Sequence, residues 1–244
     1  MLSKLGLCSR TQAAALVRAG RVRVNGRVVD DAELPVDSAH DRIEVDDHAV
    51  AAAARVYLML NKPRGYVTTA QDERGRETVY TLLQSAQCAE VDKRWLAPVG
   101  RLDKASEGLL LFSNDSAWAA RLADPAAHLD KTYHVQIDTL PDADVLQRLR
   151  TGVDDRSERL SAKAVRELRR GEKNAWLEIV LDEGRNRQIR RLLAAFDIGV
   201  LRLIRVAIGT LQLGDLAKGQ ARLLTAEELA MFDSHERRAT GTPR

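Results

Sequence analysis

Gly100-Arg101-Leu102-Asp103-Lys104-Ala105-Ser106-Glu107-Gly108-Leu109-Leu110-Leu111-Phe112-Ser113-Asn114-Asp115 joins a polar, basic, glycine-bounded loop to an apolar run at 109–112. Four residues are too few for a helix and enough for a buried strand. Asn114, Asp115 and Ser116 come next, and each can accept a backbone N–H at the start of a helix carrying Trp118 and Leu122. The local order is therefore loop, strand, helix. It places one carboxylate, Asp103, at the lip of a core. On spacing alone the ordinary account of Asp103 is a turn residue bonding its own backbone.

Around this stretch the composition is ordinary and globular. The chain has 244 residues, 45% of them hydrophobic and 30% charged, enough for one large or two unequal domains. A net charge of +3 and a sequence pI near 9.0 argue only weakly for nucleic acid, so the distribution of charge has to decide. Cys8 and Cys88 stand in unrelated contexts and make no disulfide framework. No apolar run approaches the roughly 20 residues a bilayer requires, and no cleavable leader is visible. A soluble, cytoplasmic monomer that does not enter membranes is expected. The five histidines are never paired at helical spacing, and there is no phosphate-cradling loop of the Walker or dinucleotide type, so neither metal nor cofactor is expected.

At the N-terminus, Ser9-Arg10-Thr11-Gln12 has the capping-box spacing, which predicts a helix from Arg10 with Ala13, Leu16 and Val17 inward and Gly20 as its stop. Alternation around Asn25-Gly26 predicts a hairpin. Lys4, Arg10, Arg18, Arg21, Arg23 and Arg27 share this stretch with no acidic residue before Asp30, a local field suited to phosphates. Residues 49–55 are an Ala-rich joint, read as the boundary between units at 1–48 and 55–232. Beyond it a short apolar strand runs into Asn61-Lys62-Pro63-Arg64-Gly65, and a short helix is expected around residues 80–83.

Further along, residues 131–137 alternate as a strand with Tyr133, Val135 and Ile137 on one face, where a tyrosine is ordinarily plain core. A helix capped at Asp142 carries Val145, Leu146 and Leu149 and ends near Gly152. Strands at 162–169 and 175–181 follow. Ile189, Leu192, Leu193 and Phe196 then mark a helix face, with Arg187, Arg190 and Arg191 off that stripe. Residues 201–209 look like a closing strand, with Leu203 as core. A capped helix begins at Thr225, and residues 235–244 are expected to fray.

The opening stretch resembles, nearly letter for letter, the G-R-L-D-x-x-(S/T)-x-G-L-L-L-x-(S/T)-N-D signature of the RsuA-like branch of bacterial rRNA pseudouridine synthases. Asn61-Lys62-Pro63-Arg64-Gly65, Lys131-Thr132-Tyr133 and Glu183-Gly184-Arg185-Asn186-Arg187-Gln188-Ile189-Arg190-Arg191-Leu192 resemble three further motifs of the family, in order. Residues 6–46 resemble the S4 RNA-binding domain. The resemblance implies an α+β fold, with a small S4 domain ahead of a catalytic domain built on a mixed, mostly antiparallel sheet. It implies Asp103 as the catalytic carboxylate, Tyr133 against the target base, Arg190 as the cation pairing with Asp103, and Leu203 beneath the base. Arg101, Lys62 and Arg187 would meet the substrate. Ser9, Arg10, Arg21, Arg23, Asn25 and Arg27 would meet RNA. The substrate would be ribosomal RNA, and the Arg-Asn-Arg-Gln form of the third motif leans towards the large subunit. The rival reading is an S4-type RNA-binding or ribosome-assembly factor that keeps the fold without the reaction. A metal-dependent RNA hydrolase would need clustered carboxylates, and only Glu107 is near Asp103 in sequence.

Overall fold

The computed structural model describes residues 1–37, 40–70, 72–85 and 95–232. Ser9 opens α1 (Arg10–Arg18) in the expected capping box: its hydroxyl accepts from the Gln12 N–H, and the Gln12 side chain accepts from the Ser9 N–H. A hairpin of β1 (Val22–Val24) and β2 (Arg27–Val28) turns at Asn25-Gly26, both at positive φ as such a tight turn demands. With β3 (Ile43–Val45) and β4 (His48–Ala49) it makes a four-stranded sheet in the order β2-β1-β3-β4. Leu2, Val17, Val22 and Ile43 form its small core.

The larger unit runs through β5 (Tyr57–Lys62), α2 (Val79–Ser85), β6 (Ala97–Val99), β7 (Glu107–Ser113), α3 (Ser116–Ala123), β8 (Lys131–Ile137) and α4 (Ala143–Thr151). It continues through β9 (Val153–Asp155), β10 (Glu158–Leu160), β11 (Ala164–Arg170), β12 (Ala175–Leu181), α5 (Gln188–Ala194), β13 (Val200–Ile208), β14 (Leu211–Gln212) and β15 (Ala221–Leu223). A helix over 226–232 follows, capped by Thr225 and Glu228. The main sheet has the order β11-β12-β8-β13-β7-β5-β15, with β14 on β13 and β6 on β7. Among the named strands only β7 and β13 pair in parallel, so the sheet is mixed and mostly antiparallel. No helix of the described residues is long and apolar enough to cross a membrane.

Every residue of β7 is buried because both faces are covered. Leu110 and Phe112 enter the larger core with Leu58, Leu60, Val135, Leu177, Ile189 and Leu192, while Leu109 and Leu111 pack on the other face with Met59 and Trp118. Two expectations change. Residues 200–208 lie in the middle of the sheet, between β8 and β7, and do not close it, since the chain crosses over to reach them. The β9–β10 hairpin was not foreseen: it turns on Arg156 and Ser157, which adopt positive φ without the Asn-Gly signal. Residues 235–244 lie outside the described residues.

Candidate active site

The loop from Gly100 to Ser106 is fixed from behind by side chains. Thr68 Oγ1 donates to the Leu102 carbonyl at 2.7 Å and accepts from its N–H at 3.3 Å. Lys62, expected to face the substrate, is instead fully buried. Its ammonium donates to the carbonyls of Pro63, Asp103 and Ser106 at 3.1, 3.1 and 2.8 Å. In the sheet Lys62 lies opposite Gly108 of β7, at the end of β5 beneath the loop. Lys62 therefore holds the loop and does not reach outward.

The loop borders a cavity of about 510 Å³. Tyr133 from β8 and Leu203 from β13 line it, both on the apolar side of the sheet, together with Arg101, Asp103, Arg187 and Arg190. The structure thus brings together residues from three of the four motifs, with Leu203 of β13. A volume of this size suits a nucleoside with its flanking groups. The Asp103 side chain is 37% exposed at the mouth.

The cation on Asp103 is also not the expected one. Arg187 Nη1 donates to Asp103 Oδ2 at 3.2 Å. Arg187 precedes α5 in the left-handed region, φ 49°, which carries its side chain off the helix face and over the loop. Arg190, one turn on, points into the wall: Nη2 donates to the Ala105 carbonyl at 3.3 Å, Nη1 to the Val200 carbonyl at 3.4 Å, and Nε is buried without a partner. Burial is the main cause that pushes the Arg190 guanidinium below its ordinary pKa; Arg187 adds to it and Asp103 opposes it.

Among the further cations that line the cavity are Lys131 and Arg205. Burial, and then Arg205, pushes the Lys131 amine down. The one signal for Arg205 in the sequence was its phase, since it alternates with Leu203 on the apolar face of β13. Glu107, read only as a carboxylate near Asp103, is buried and pairs with the partly exposed Arg202 at 3.1 Å and Lys218 at 2.6 Å. The described residues contain no group of three or more side chains that could hold a metal ion.

In the N-terminal unit Arg10 and Arg27 are exposed. Arg21 and Arg23 are tied to the β3–β4 turn, Arg21 Nε to Asp46 at 2.7 Å and Arg23 Nε to Asp47 at 3.0 Å. The basic patch is therefore segregated along the chain but partly neutralised in space. Ser9 and Asn25 both have partners within the protein. The Ser9 hydroxyl caps α1, and the Asn25 amide bridges Asp41 and the Arg42 N–H at 2.8 and 2.9 Å.

Residues 56–195 match the family model described as RNA pseudouridylate synthase, and residues 1–43 match the S4 domain. An uncharacterized RNA pseudouridine synthase of Aquifex aeolicus is 37% identical over 95% of this chain and 91% of its own length. The ribosomal large subunit pseudouridine synthase B of Bacillus subtilis is 34% identical over 94% and 92%. A solved pseudouridylate synthase superposes with a TM-score of 0.65 at 28% identity, covering 95% of this chain and 96% of that one. With its S4 domain, its mixed sheet and these matches, the chain belongs to the RNA pseudouridine synthases, isomerases of uridine in RNA.

Proposed function

We propose that this chain converts a specific uridine of large-subunit ribosomal RNA to pseudouridine, in the cytoplasm and without cofactor or metal. The observation that carries the reading is Asp103, a carboxylate paired with Arg187 at the mouth of a cavity lined by Tyr133 and Leu203. The name of the Bacillus subtilis relative and the Arg-Asn-Arg-Gln motif support the choice of the large subunit.

The target nucleoside is flipped from folded RNA at a cost of a few kcal/mol, and its base enters between Tyr133 and Leu203. Stacking on an aromatic ring offsets about 1 to 3 kcal/mol of that cost. Asp103 then acts on the nucleoside by attack at C1′, by attack at C6, or by removing a sugar proton. All three need an aimed carboxylate, and Arg187 holds it at 3.2 Å. Arg101 stands at the same mouth to meet the strand.

Asp103→Asn keeps shape while removing the charge. It should retain RNA binding and yield no pseudouridine, read by chemical mapping of large-subunit rRNA after adding the protein to rRNA from a strain that lacks it. Pseudouridine formed by Asp103→Asn would refute the assignment.

A further inference from the structure

Arg205 is 4% exposed. Its guanidinium makes one hydrogen bond, from Nε to the Leu109 carbonyl at 2.7 Å, and Nη2 is buried with no partner. Among the described residues no carboxylate pairs with it. A cation taken from water and left uncompensated is strongly disfavoured, so something other than fold stability has to account for it. Its position supplies a reason. Arg205 lies opposite Tyr133 in the β8–β13 register and lines the same cavity, with Lys131 beside it. Its charge reaches both neighbouring lysines, adding to the effect of burial on Lys62 and Lys131. Asp103 thus stands at the mouth of the cavity and an unneutralised positive charge in its wall.

We propose that Arg205 is a catalytic residue that stabilises the uracil while it is detached from the ribose and negatively charged. The proposal rests on the isomerase reading above. When the C1′–N1 bond breaks, its electron pair leaves with the base and spreads over N1, O2 and O4. C1′ is taken by the Asp103 carboxylate, or the sugar loses its C2′ proton to that carboxylate. After the ring turns, C5 supplies the electron pair for the new bond to C1′ as the Asp103 carboxylate leaves C1′ or, on the second route, as C2′ takes its proton back from that carboxylate; the hydrogen on C5 is then lost as a proton, and N1 takes one up. Between these steps the base is an anion, and a fixed cation in a buried wall stabilises it without having to reorganise.

The test is the single-turnover rate of C1′–N1 cleavage on an rRNA fragment carrying either uridine or 5-fluorouridine at the target. Fluorine makes the departing anion more stable, so it needs less help. Arg205→Gln is expected to lower the rate about 100-fold with uridine and only about 10-fold with 5-fluorouridine, and Arg205→Lys to recover about 10-fold of the uridine loss. Equal fractional losses on the two RNAs would overturn the proposal, because a packing defect cannot distinguish the bases. Should Arg205→Gln fail to fold, Arg205→Met is judged by the same ratio. Asp103→Asn runs alongside: product from that variant overturns the underlying reading, whereas an inactive Asp103→Asn with equal losses at Arg205 removes this inference alone.

Discussion

Lys62 has no exposed surface and directs its ammonium at three backbone carbonyls, two of them in the loop that carries Asp103. Burial is the main cause that lowers its pKa from 10.5 to about 8; Arg205 adds to the fall, while Asp103 and Glu107 oppose it. Because the folded value lies below the unfolded one, the unfolded chain binds a proton that the folded chain lacks between about pH 8 and 10.5, and stability rises with pH across that window. Against Lys62→Met as reference, wild type should gain about 2 kcal/mol between pH 8 and roughly pH 9.5, at about 1.4 kcal/mol per unit. Urea unfolding at the two pH values measures it, and a constant gap would show that the amine does not feel its burial. At this scale residue type and phase read Asp103 as a turn residue and Tyr133 and Leu203 as core, and it is the family resemblance that marked them for one site. Where a long side chain ends is decided by packing. Hence the inward Lys62, and the exchange of Arg187 for Arg190 on Asp103, were not legible.

β7 and β13 meet over two register positions, Ile204 at Glu107 and Arg205 at Gly108. This short parallel contact sets the distance between the Asp103 loop and Arg205. Gly108 has φ +101°, and a Cβ built there would lie 2.2 Å from the Arg205 carbonyl oxygen and 2.8 Å from its nitrogen. Neither backbone atom can give way without parting the strands. Gly108→Ala should therefore cost about 3 kcal/mol or more, combining left-handed strain with overpacking, and lower the midpoint of thermal unfolding. A midpoint within a degree or so of wild type would mean the strands part freely. The end of the same stretch has a different use: Asn114 accepts from the Val56 N–H at 2.8 Å and donates to the Ala54 carbonyl at 2.9 Å, holding the entry to β5. Local signals made the strand at 109–112, the Asn25-Gly26 hairpin and the capped helices readable. The central place of β13 was not, because its partners lie far away in sequence and nothing local encodes them.

Across the whole molecule the net charge of +3 is too small to draw RNA by itself, so binding depends on which cations remain free. Six basic residues before Asp30 look equivalent along the chain, yet the fold returns Asp46 to Arg21 and Asp47 to Arg23. Arg10 and Arg27 keep exposed guanidinium groups with no carboxylate partner among the described residues. Each cation that meets a phosphate contributes about 0.9 to the slope of log affinity against log salt on a duplex and about 0.7 on a single strand. The double variant Arg10→Ala/Arg27→Ala should therefore reduce that slope by roughly 1.4 to 1.8. The charge-balanced double variant Arg21→Ala/Asp46→Ala, which removes a pair already satisfied within the protein, should leave the slope at the wild-type value. Titrations of an rRNA fragment at several salt concentrations compare the two. Equal reductions would mean that Arg21 leaves Asp46 for phosphate when RNA binds, and that the ion pairs of the N-terminal unit do not select its contact surface.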